Sequence, residues 1–367
     1  MRRYARNDVI ARSEATKQSG NGIVDIDSMK IINENDAPLP PDQKTIVTVG
    51  NFDGVHRGHA RLIARAVGLA KESGAAAAAV AFEPHTRTVV YPELSTMLLT
   101  TMPERAALMA EMGVDYLFLA RFDEKFREMG QDEFIEKVLA GRLRAAAWVM
   151  GEGQHVGRDR EGGKKNLHFV CGKYHISTFS EPPEMCQGAM ISSTRIRGLV
   201  GEGRLREARE MLGRPYLIAA QRVRGLQVAT NRLDCPTLNF KMPEAGKVLP
   251  PAGVYAAELE IGVNSGTINI STDSSINTDK KRLFGALYFG DCPTYEGRET
   301  HFEFHALNFD GFGAAEPAVG DSVNLWLYEY IRPGVAFPNE DALKAQIAID
   351  VDKIRAVFAD INTVLTK

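Results

Sequence analysis

The run Thr45-Ile46-Val47-Thr48-Val49, β-branched throughout and closed by Gly50, constrains this chain more than any other segment. Branching at Cβ stiffens each side chain and favours the pleated strand. A run without strict apolar-polar alternation fits a strand covered on both faces, as in a parallel sheet. Ala60 to Lys71 follows, rich in Ala, Leu, Arg and Lys; Gly74 breaks it, and Ala75 to Phe82 supplies the next apolar strand. Strand, helix, strand at this spacing is a βαβ unit. The alternation continues with helix Pro103 to Met112, strand Tyr116 to Ala120, helix Gln131 to Leu139, and strands Ala146 to Met150 and Tyr174 to Thr178. The pattern predicts an α/β domain built on a doubly wound parallel sheet.

Beyond Gly213-Arg214-Pro215 the texture changes to short alternating segments punctuated by glycine and proline, the pattern of an antiparallel barrel. Its expected strands are Leu217 to Val223, Thr237 to Lys241, Gly253 to Ile261, Phe284 to Phe289, His301 to Leu307 and Ser322 to Tyr330, closed by an amphipathic helix from Asn339 to Phe358. Asn264 to Lys281, rich in Ser, Thr, Asn and Asp, reads as a long loop. A chain of 367 residues suffices for two domains, each with its own core. The expected division is a poorly ordered arm over 1–43, a first domain over 44–200, a helical linker over 201–214 and a second domain over 215–367. The arm is polar and ends in Ala37-Pro38-Leu39-Pro40-Pro41; Met29 is an alternative start, and a basic transit-type peptide is the other reading of its arginines.

Composition removes several function classes. Lys and Arg total 44 against 47 Asp and Glu, a formal charge of -3, so no basic field points to nucleic acid. The longest apolar run, Ala75 to Phe82, falls far short of the roughly 20 residues that cross a bilayer, so no membrane span is expected. Cys171, Cys186, Cys235 and Cys292 are widely spaced with no C-x-x-C, which fits a reducing cytoplasm.

The chemistry concentrates in a few segments. Gly50-Asn51-Phe52-Asp53-Gly54-Val55-His56-Arg57-Gly58-His59 lies where a buried strand passes into a helix, the position at which open α/β sheets bind ligands. Helix-start N–H groups attract anions, and His56 and His59, three residues apart, share one face of the first turn. Two imidazoles there suit attack on an α-phosphate, where negative charge grows on the nonbridging oxygens; two exposed histidines after a tight turn is the bland alternative. Ile191-Ser192-Ser193-Thr194-Arg195-Ile196-Arg197 offers hydroxyls and guanidinium groups for departing phosphates, or, more simply, a helix cap at Ser193 and Thr194. Asp-Cys-Pro-Thr occurs twice, at 234–237 and 291–294, each beside a barrel strand. In His301-Phe302-Glu303-Phe304-His305 the period of two sends the phenylalanines to one face and His301, Glu303 and His305 to the other. A half-buried strand explains this pattern, and a zinc site from the three polar residues lacks a fourth ligand.

Taken together, Gly50 to His59, Phe82-Glu83-Pro84-His85, Ile191 to Arg197 and Leu212-Gly213-Arg214-Pro215-Tyr216 resemble, in order, the signatures of bacterial FAD synthetases, the bifunctional riboflavin kinase/FMN adenylyltransferases. The resemblance runs from about Thr45 to the C-terminus. It implies a Rossmann-like nucleotidyltransferase domain followed by a six-stranded riboflavin kinase barrel with a C-terminal helix. It implies transfer of AMP from ATP to FMN, with His56 and His59 on the phosphates. Gly50, Asn51, Phe52, Asp53, Gly58, Ser193, Thr194, Arg195 and Arg197 would hold ATP, the last four from a mobile loop, and Phe82, Pro84 and His85 would lie at the flavin. A proline-bounded strand end is the structural alternative for the last three. In the barrel, the family's Pro-Thr-x-Asn corresponds to Pro236-Thr237-Leu238-Asn239, whose Thr237 and Asn239 oxygens would bind the Mg²⁺ of MgATP. Glu303 would be the base that takes the proton of the ribityl hydroxyl of riboflavin. The implied partners are ATP, riboflavin and FMN alone, with FAD as product, in a monomer or weak homo-oligomer.

Two segments depart from the family pattern. Gly151-Glu152-Gly153-Gln154-His155-Val156-Gly157 lacks the aromatic and Asn or Asp positions that hold the flavin, which leaves a different acceptor open. The kinase's glycine- and arginine-rich loop is replaced by residues 225–235, with Gly225 and Arg232 its only counterparts; an adenylyltransferase with an inactive kinase therefore remains an alternative, as does a flavin-binding paralogue without catalysis.

Overall fold

The computed structural model describes residues 24–26, 29–93, 96–154, 156–157, 164–224, 237–241, 243, 246–261, 281–291, 300–307 and 316–365. Its first domain runs β1 (Val24–Ile26), β2 (Met29–Asn33), β3 (Thr45–Val49), α1 (Arg57–Ser73), β4 (Ala76–Glu83), α2 (Thr86–Val90), α3 (Met102–Glu111), β5 (Tyr116–Arg121), α4 (Glu124–Arg127) and α5 (Gln131–Phe134), which continues as a π-helical stretch, Ile135–Arg142. β6 (Ala145–Gly151), α6 (Lys164–Lys173) and β7 (Ser177–Glu181) complete it. Among the described residues the sheet order is β1-β2-β5-β4-β3-β6-β7, parallel from β2 to β7, with β1 antiparallel at the edge.

Every residue of β3 is buried, as its composition predicts. β4 is mostly alanine, a poor strand former, yet it lies between β3 and β5, where small side chains let Ile63, Ala66, Val67 and Ala70 of α1 sit close against Ala77, Ala79 and Ala81. The other face packs Val47, Val49, Ala78 and Val80 against Ile135, Val138 and Leu139 of the π-helical stretch and Leu167 and Val170 of α6.

Two sequence expectations need correction here. Met29–Asn33, placed within the arm, is a strand paired to β5, with Met29 fully buried; five residues are too few to show a period against polar neighbours. The strand expected at Tyr174 to Thr178 is Ser177–Glu181, because α6 runs to Lys173 and His175 takes a left-handed turn with φ 57°. α6 itself carried no clear apolar stripe. Residues 34–43 of the arm are also described, with Leu39 buried and its N–H donating to the Arg142 carbonyl at 2.9 Å, whereas residues 1–23 and 27–28 lie outside the described residues.

A hairpin of β8 (Met185–Cys186) and β9 (Ala189–Met190), then α7 (Ser193–Gly201) and α8 (Leu205–Leu212), lead to the second domain. There β10 (Tyr216–Val223), β11 (Leu238–Phe240), β12 (Gly253–Ile261), β13 (Lys281–Asp291), β14 (Thr300–Ala306) and β15 (Ser322–Pro333) close a barrel in the order β10-β11-β14-β13-β12-β15, all neighbours antiparallel. Ile218, Leu238, Tyr255, Leu287, Phe304 and Leu325 fill it. The final helix α9 (Glu340–Leu365) lays Ile354 and Phe358 over Val254 and Ala256 on the outside. The expected loop lies outside the described residues up to residue 280, and Lys281 opens β13. The domains share an apolar seam, since Leu217 and Trp326 of the barrel pack into the core beneath α1 and α3.

Candidate active sites

The turn that joins β3 to α1 is wound in an uncommon conformation. Phe52, Gly54 and Val55 have φ of 50°, 82° and 38°. A β-branched residue in the left-handed region is strained, so Val55 must be held there by its surroundings. Gly54 is required: a Cβ would stand 2.7 Å from Leu99 Cδ1. The turn delivers His56 as the N-cap of α1, where its Nδ1 accepts the N–H of His59 at 3.3 Å. The rings of His56 and His59 stack with centroids 3.6 Å apart, and Phe52 meets His59 edge-on at 5.3 Å. Burial pulls His56 down to about 4, and burial together with the neighbouring His56 pulls His59 well below the ordinary histidine value. Both rings are therefore neutral at pH 7. Because Nδ1 of His56 accepts, its proton resides on Nε2, which makes that atom a donor.

Asp53 is fully buried. Its carboxylate accepts from the N–H groups of Leu99 (2.9 Å) and Thr100 (3.0 Å), from Thr100 Oγ1 (3.2 Å), and from the guanidinium groups of Arg105 (3.4 Å) and Arg197 (2.8 Å). Burial alone would raise its pKa; Arg105, the Leu99 N–H, Arg197 and the Thr100 N–H outweigh it and hold the group below its ordinary range. Expected at ATP, Asp53 is in this structure the anchor of Arg197.

The segment expected to act as a mobile phosphate loop is the first half of α7. Ser192, not Ser193 or Thr194, caps that helix by accepting the Arg195 N–H, because Ser192 alone has the extended backbone a cap needs. Ser193 donates to the Asp53 carbonyl at 2.9 Å, Thr194 is exposed, and Arg195 donates to the Cys186 carbonyl of the hairpin at 3.0 Å. Gly58 sits against the His56 ring, where a Cβ would lie 3.3 Å away.

Beside this cluster opens a cavity of about 670 Å³. Gly50, Asn51, Phe52 and His59 form one wall; Phe82, Tyr91, Phe122, Phe126 and Phe134 form an aromatic one. Phe82, Phe122 and Phe126 meet with centroids 5.6 to 5.8 Å apart. Asn51 is fixed by Thr86, donating to its Oγ1 at 2.9 Å and accepting its N–H at 3.2 Å. In the segment lacking an aromatic residue, Gln154 closes the floor by donating to the Val49 carbonyl at 2.6 Å. The aromatic surface comes instead from β4, from Tyr91 after α2, and from the stretch around α4 and α5, which sequence reading missed. Of the expected flavin residues only Phe82 lines the cavity. Pro84 is exposed, and His85 caps α2 by accepting the Arg87 N–H, its pKa pulled down to about 4 chiefly by burial.

On the barrel, Asn239 of β11 lies directly opposite Glu303 of β14, which in turn faces Tyr288 of β13. Phe302 and Phe304 are buried while Glu303 and His305 are half-buried, the alternation expected of this strand. Thr237 is also half-buried and shares the Asn239 face by the period of two. These oxygen-bearing groups suit a hard cation. The substituted loop over 225–235, Pro236 and the second Asp-Cys-Pro-Thr beyond Asp291 lie outside the described residues.

Known proteins agree with this division. The FAD synthetase family model matches residues 39–195 and the riboflavin kinase model matches residues 212–358. The chain pairs an FAD synthetase domain with a riboflavin kinase domain. Its bifunctional relatives include the riboflavin kinase/FMN adenylyltransferase of Escherichia coli strain K12, 29% identical over 87% of this chain and 94% of that protein. The Pseudomonas fluorescens enzyme of the same name is 28% identical over 87% and 95%, and that of Listeria monocytogenes 26% over 89% and 97%. A crystal structure titled as a macrolide-efflux protein from Streptococcus pneumoniae shares the fold, with a TM-score of 0.72 and 23% identity over 89% of this chain and 98% of that one. No described helix is long and apolar enough to cross a membrane.

Proposed function

We propose that this chain makes FAD in two MgATP-dependent steps, phosphorylating riboflavin in the barrel and adenylylating FMN in the α/β domain. The observation that carries the reading is the stacked, neutral His56–His59 pair at the start of α1, on the rim of an aromatic cavity sized for a flavin ring. In the adenylyl step an FMN phosphate oxygen attacks the α-phosphorus of ATP, the bond to the β-phosphate oxygen breaks, and pyrophosphate leaves. His56 Nε2–H and the His59 ring donate to the α-phosphate as charge develops, and Arg197, aimed by Asp53, holds the departing phosphates. Gly50, Asn51, Phe52 and Gly58 let the nucleotide approach the backbone, while Phe82 and its neighbouring rings pack the isoalloxazine. Ser193, Thr194 and Arg195 act from α7, the first and last by holding the Asp53 turn and the hairpin.

In the kinase step Glu303 accepts the proton of the ribityl hydroxyl as its oxygen attacks the γ-phosphorus, and ADP leaves. Thr237 and Asn239 would hold the Mg²⁺ of ATP, which would supply neutralisation of phosphate charge. The working unit is a cytoplasmic monomer or weak homo-oligomer, with the first domain beginning at about residue 24 rather than 44, a linker over 201–214 and the kinase over 215–367. The test is incubation with MgATP and either riboflavin or FMN, with products resolved by chromatography. FMN from riboflavin and FAD from FMN support both steps. FAD from FMN alone assigns an inactive kinase; tight flavin binding without turnover refutes the enzymatic reading.

A further inference from the structure

Two side chains from the stretch matched by the riboflavin kinase model reach into the adenylyltransferase site. Arg214, in the junction Gly213-Arg214-Pro215, donates from Nη2 to the Gly54 carbonyl at 2.7 Å and from Nη1 to the Val55 carbonyl at 3.1 Å. Those carbonyls belong to the left-handed residues of the strained turn immediately before His56. Lys247, between β11 and β12, is buried and donates to the Leu99 carbonyl at 2.8 Å and to Glu104 Oε2 at 2.6 Å. The Leu99 N–H and the next one, of Thr100, are those that hold Asp53, and Asp53 holds Arg197. Main-chain bonds fix the same strip: Leu98 donates to the Gly246 carbonyl at 2.6 Å and Val248 donates to the Leu98 carbonyl at 2.8 Å. Glu104 also accepts the Ala219 N–H of β10 at 2.8 Å.

We infer that Arg214 and Lys247 are positioning residues for FMN adenylylation, so that the end of the linker and the barrel together complete the catalytic geometry of the α/β domain. Arg214 sets the turn that presents His56; Lys247 sets the strip that presents Arg197 through Asp53. Neither touches substrate. A positive-φ valine needs an external restraint to persist, and a bidentate guanidinium spanning two successive carbonyls is such a restraint. A displacement of about 1 Å in a group that stabilises a transition state lowers the rate by up to about 100-fold.

This inference rests on the proposed adenylyl transfer, and the experiment separates the two. Arg214→Lys and Lys247→Met are compared with the unaltered full-length chain for FMN adenylylation, riboflavin phosphorylation and thermal unfolding. Failure of the unaltered chain to make FAD from FMN removes the functional reading itself. Given that activity, each variant is expected to lose at least tenfold in kcat for adenylylation while KM for ATP and FMN stays within about threefold. Phosphorylation of riboflavin, measured on the same preparation, stays within about twofold, or flavin binding does so if the kinase is inactive. Arg214→Met is expected to lose more than Arg214→Lys, which keeps a donor near one carbonyl. Unchanged adenylylation in folded variants refutes the inference, as does an equal fall of both functions or a rise in KM at constant kcat. Should Lys247→Met unfold, the double variant Glu104→Gln with Lys247→Met removes the buried charge mismatch and carries the same test.

Discussion

Replacing Asp53 by asparagine tests the electrostatic centre of the first domain. The change keeps the shape but removes a charge on which Arg105 and Arg197 converge, at 3.4 and 2.8 Å. It also turns one oxygen into an NH₂ group where Leu99, Thr100 and both arginines already present donors, so an accepting position becomes a clash of donors. Breaking a buried ion pair by removing one partner costs about 3–5 kcal/mol, because the survivor stays desolvated. Two features place Asp53→Asn at the lower end: Arg105 also donates to the Thr100 carbonyl at 3.1 Å, and Arg197 is 15% exposed and can turn toward water. The expected loss is therefore about 3 kcal/mol, read as a lower denaturant midpoint at unchanged slope for the α/β domain. The folded pKa of Asp53 lies below its ordinary value of 3.8. The stabilisation is thus complete above about pH 4 and disappears as pH falls through the depressed folded value. The gap between the unaltered chain and the variant should narrow as the pH is lowered below 4. A loss under about 1 kcal/mol at pH 7, or a gap independent of pH down to 3, would refute the assignment of Asp53 as the charge that holds both arginines.

Further outcomes are open to direct measurement. His59→Ala should lower FMN adenylylation by about 10²–10³ through loss of a transition-state donor, with riboflavin phosphorylation intact; equal losses in both assays would contradict separate sites. Glu303→Gln should lower phosphorylation by about 10²–10⁴ and spare adenylylation, and an unchanged kinase rate would show that another group takes the proton. Burial holds His56 at about 4 and His59 well below the usual value, so adenylylation should show no histidine titration between pH 6 and 8 and should fall only on further acidification; a step near 6.5 would contradict two neutral rings. Gly54→Ala should destabilise the chain, since φ of 82° and a 2.7 Å approach to Leu99 leave its Cβ no room, and thermal unfolding reads the effect.

The sequence makes the histidine turn of the candidate site legible and hides its aromatic cavity. His56 and His59 announce themselves because a β-branched run, three glycines and two histidines coincide at one strand-to-helix passage. The barrel strands are legible through alternation, and Glu303 lies on the face its period dictates, opposite Asn239. Phe122, Phe126 and Phe134 form no local pattern; they converge only when the connection after β5 folds back over the sheet. Asp53 reads as a ligand because it stands between residues expected at phosphate, and only tertiary contacts turn its carboxylate toward two arginines. Arg214 sits in a recognisable motif, but no spacing rule connects it with Gly54, 160 residues away.

That distance bears on how the protein is made. During synthesis the α/β sheet is made before residues 214 and 247 are added, and domains fold as they emerge. Glu104, fully buried in the finished protein, then waits in water for Lys247, and the turn before His56 waits for Arg214. The sheet can assemble early, but its histidine pair gains its final geometry only when the barrel docks. A nascent chain stalled ahead of the barrel would thus carry the complete nucleotide motif with no competent site, a built-in delay between folding and turnover.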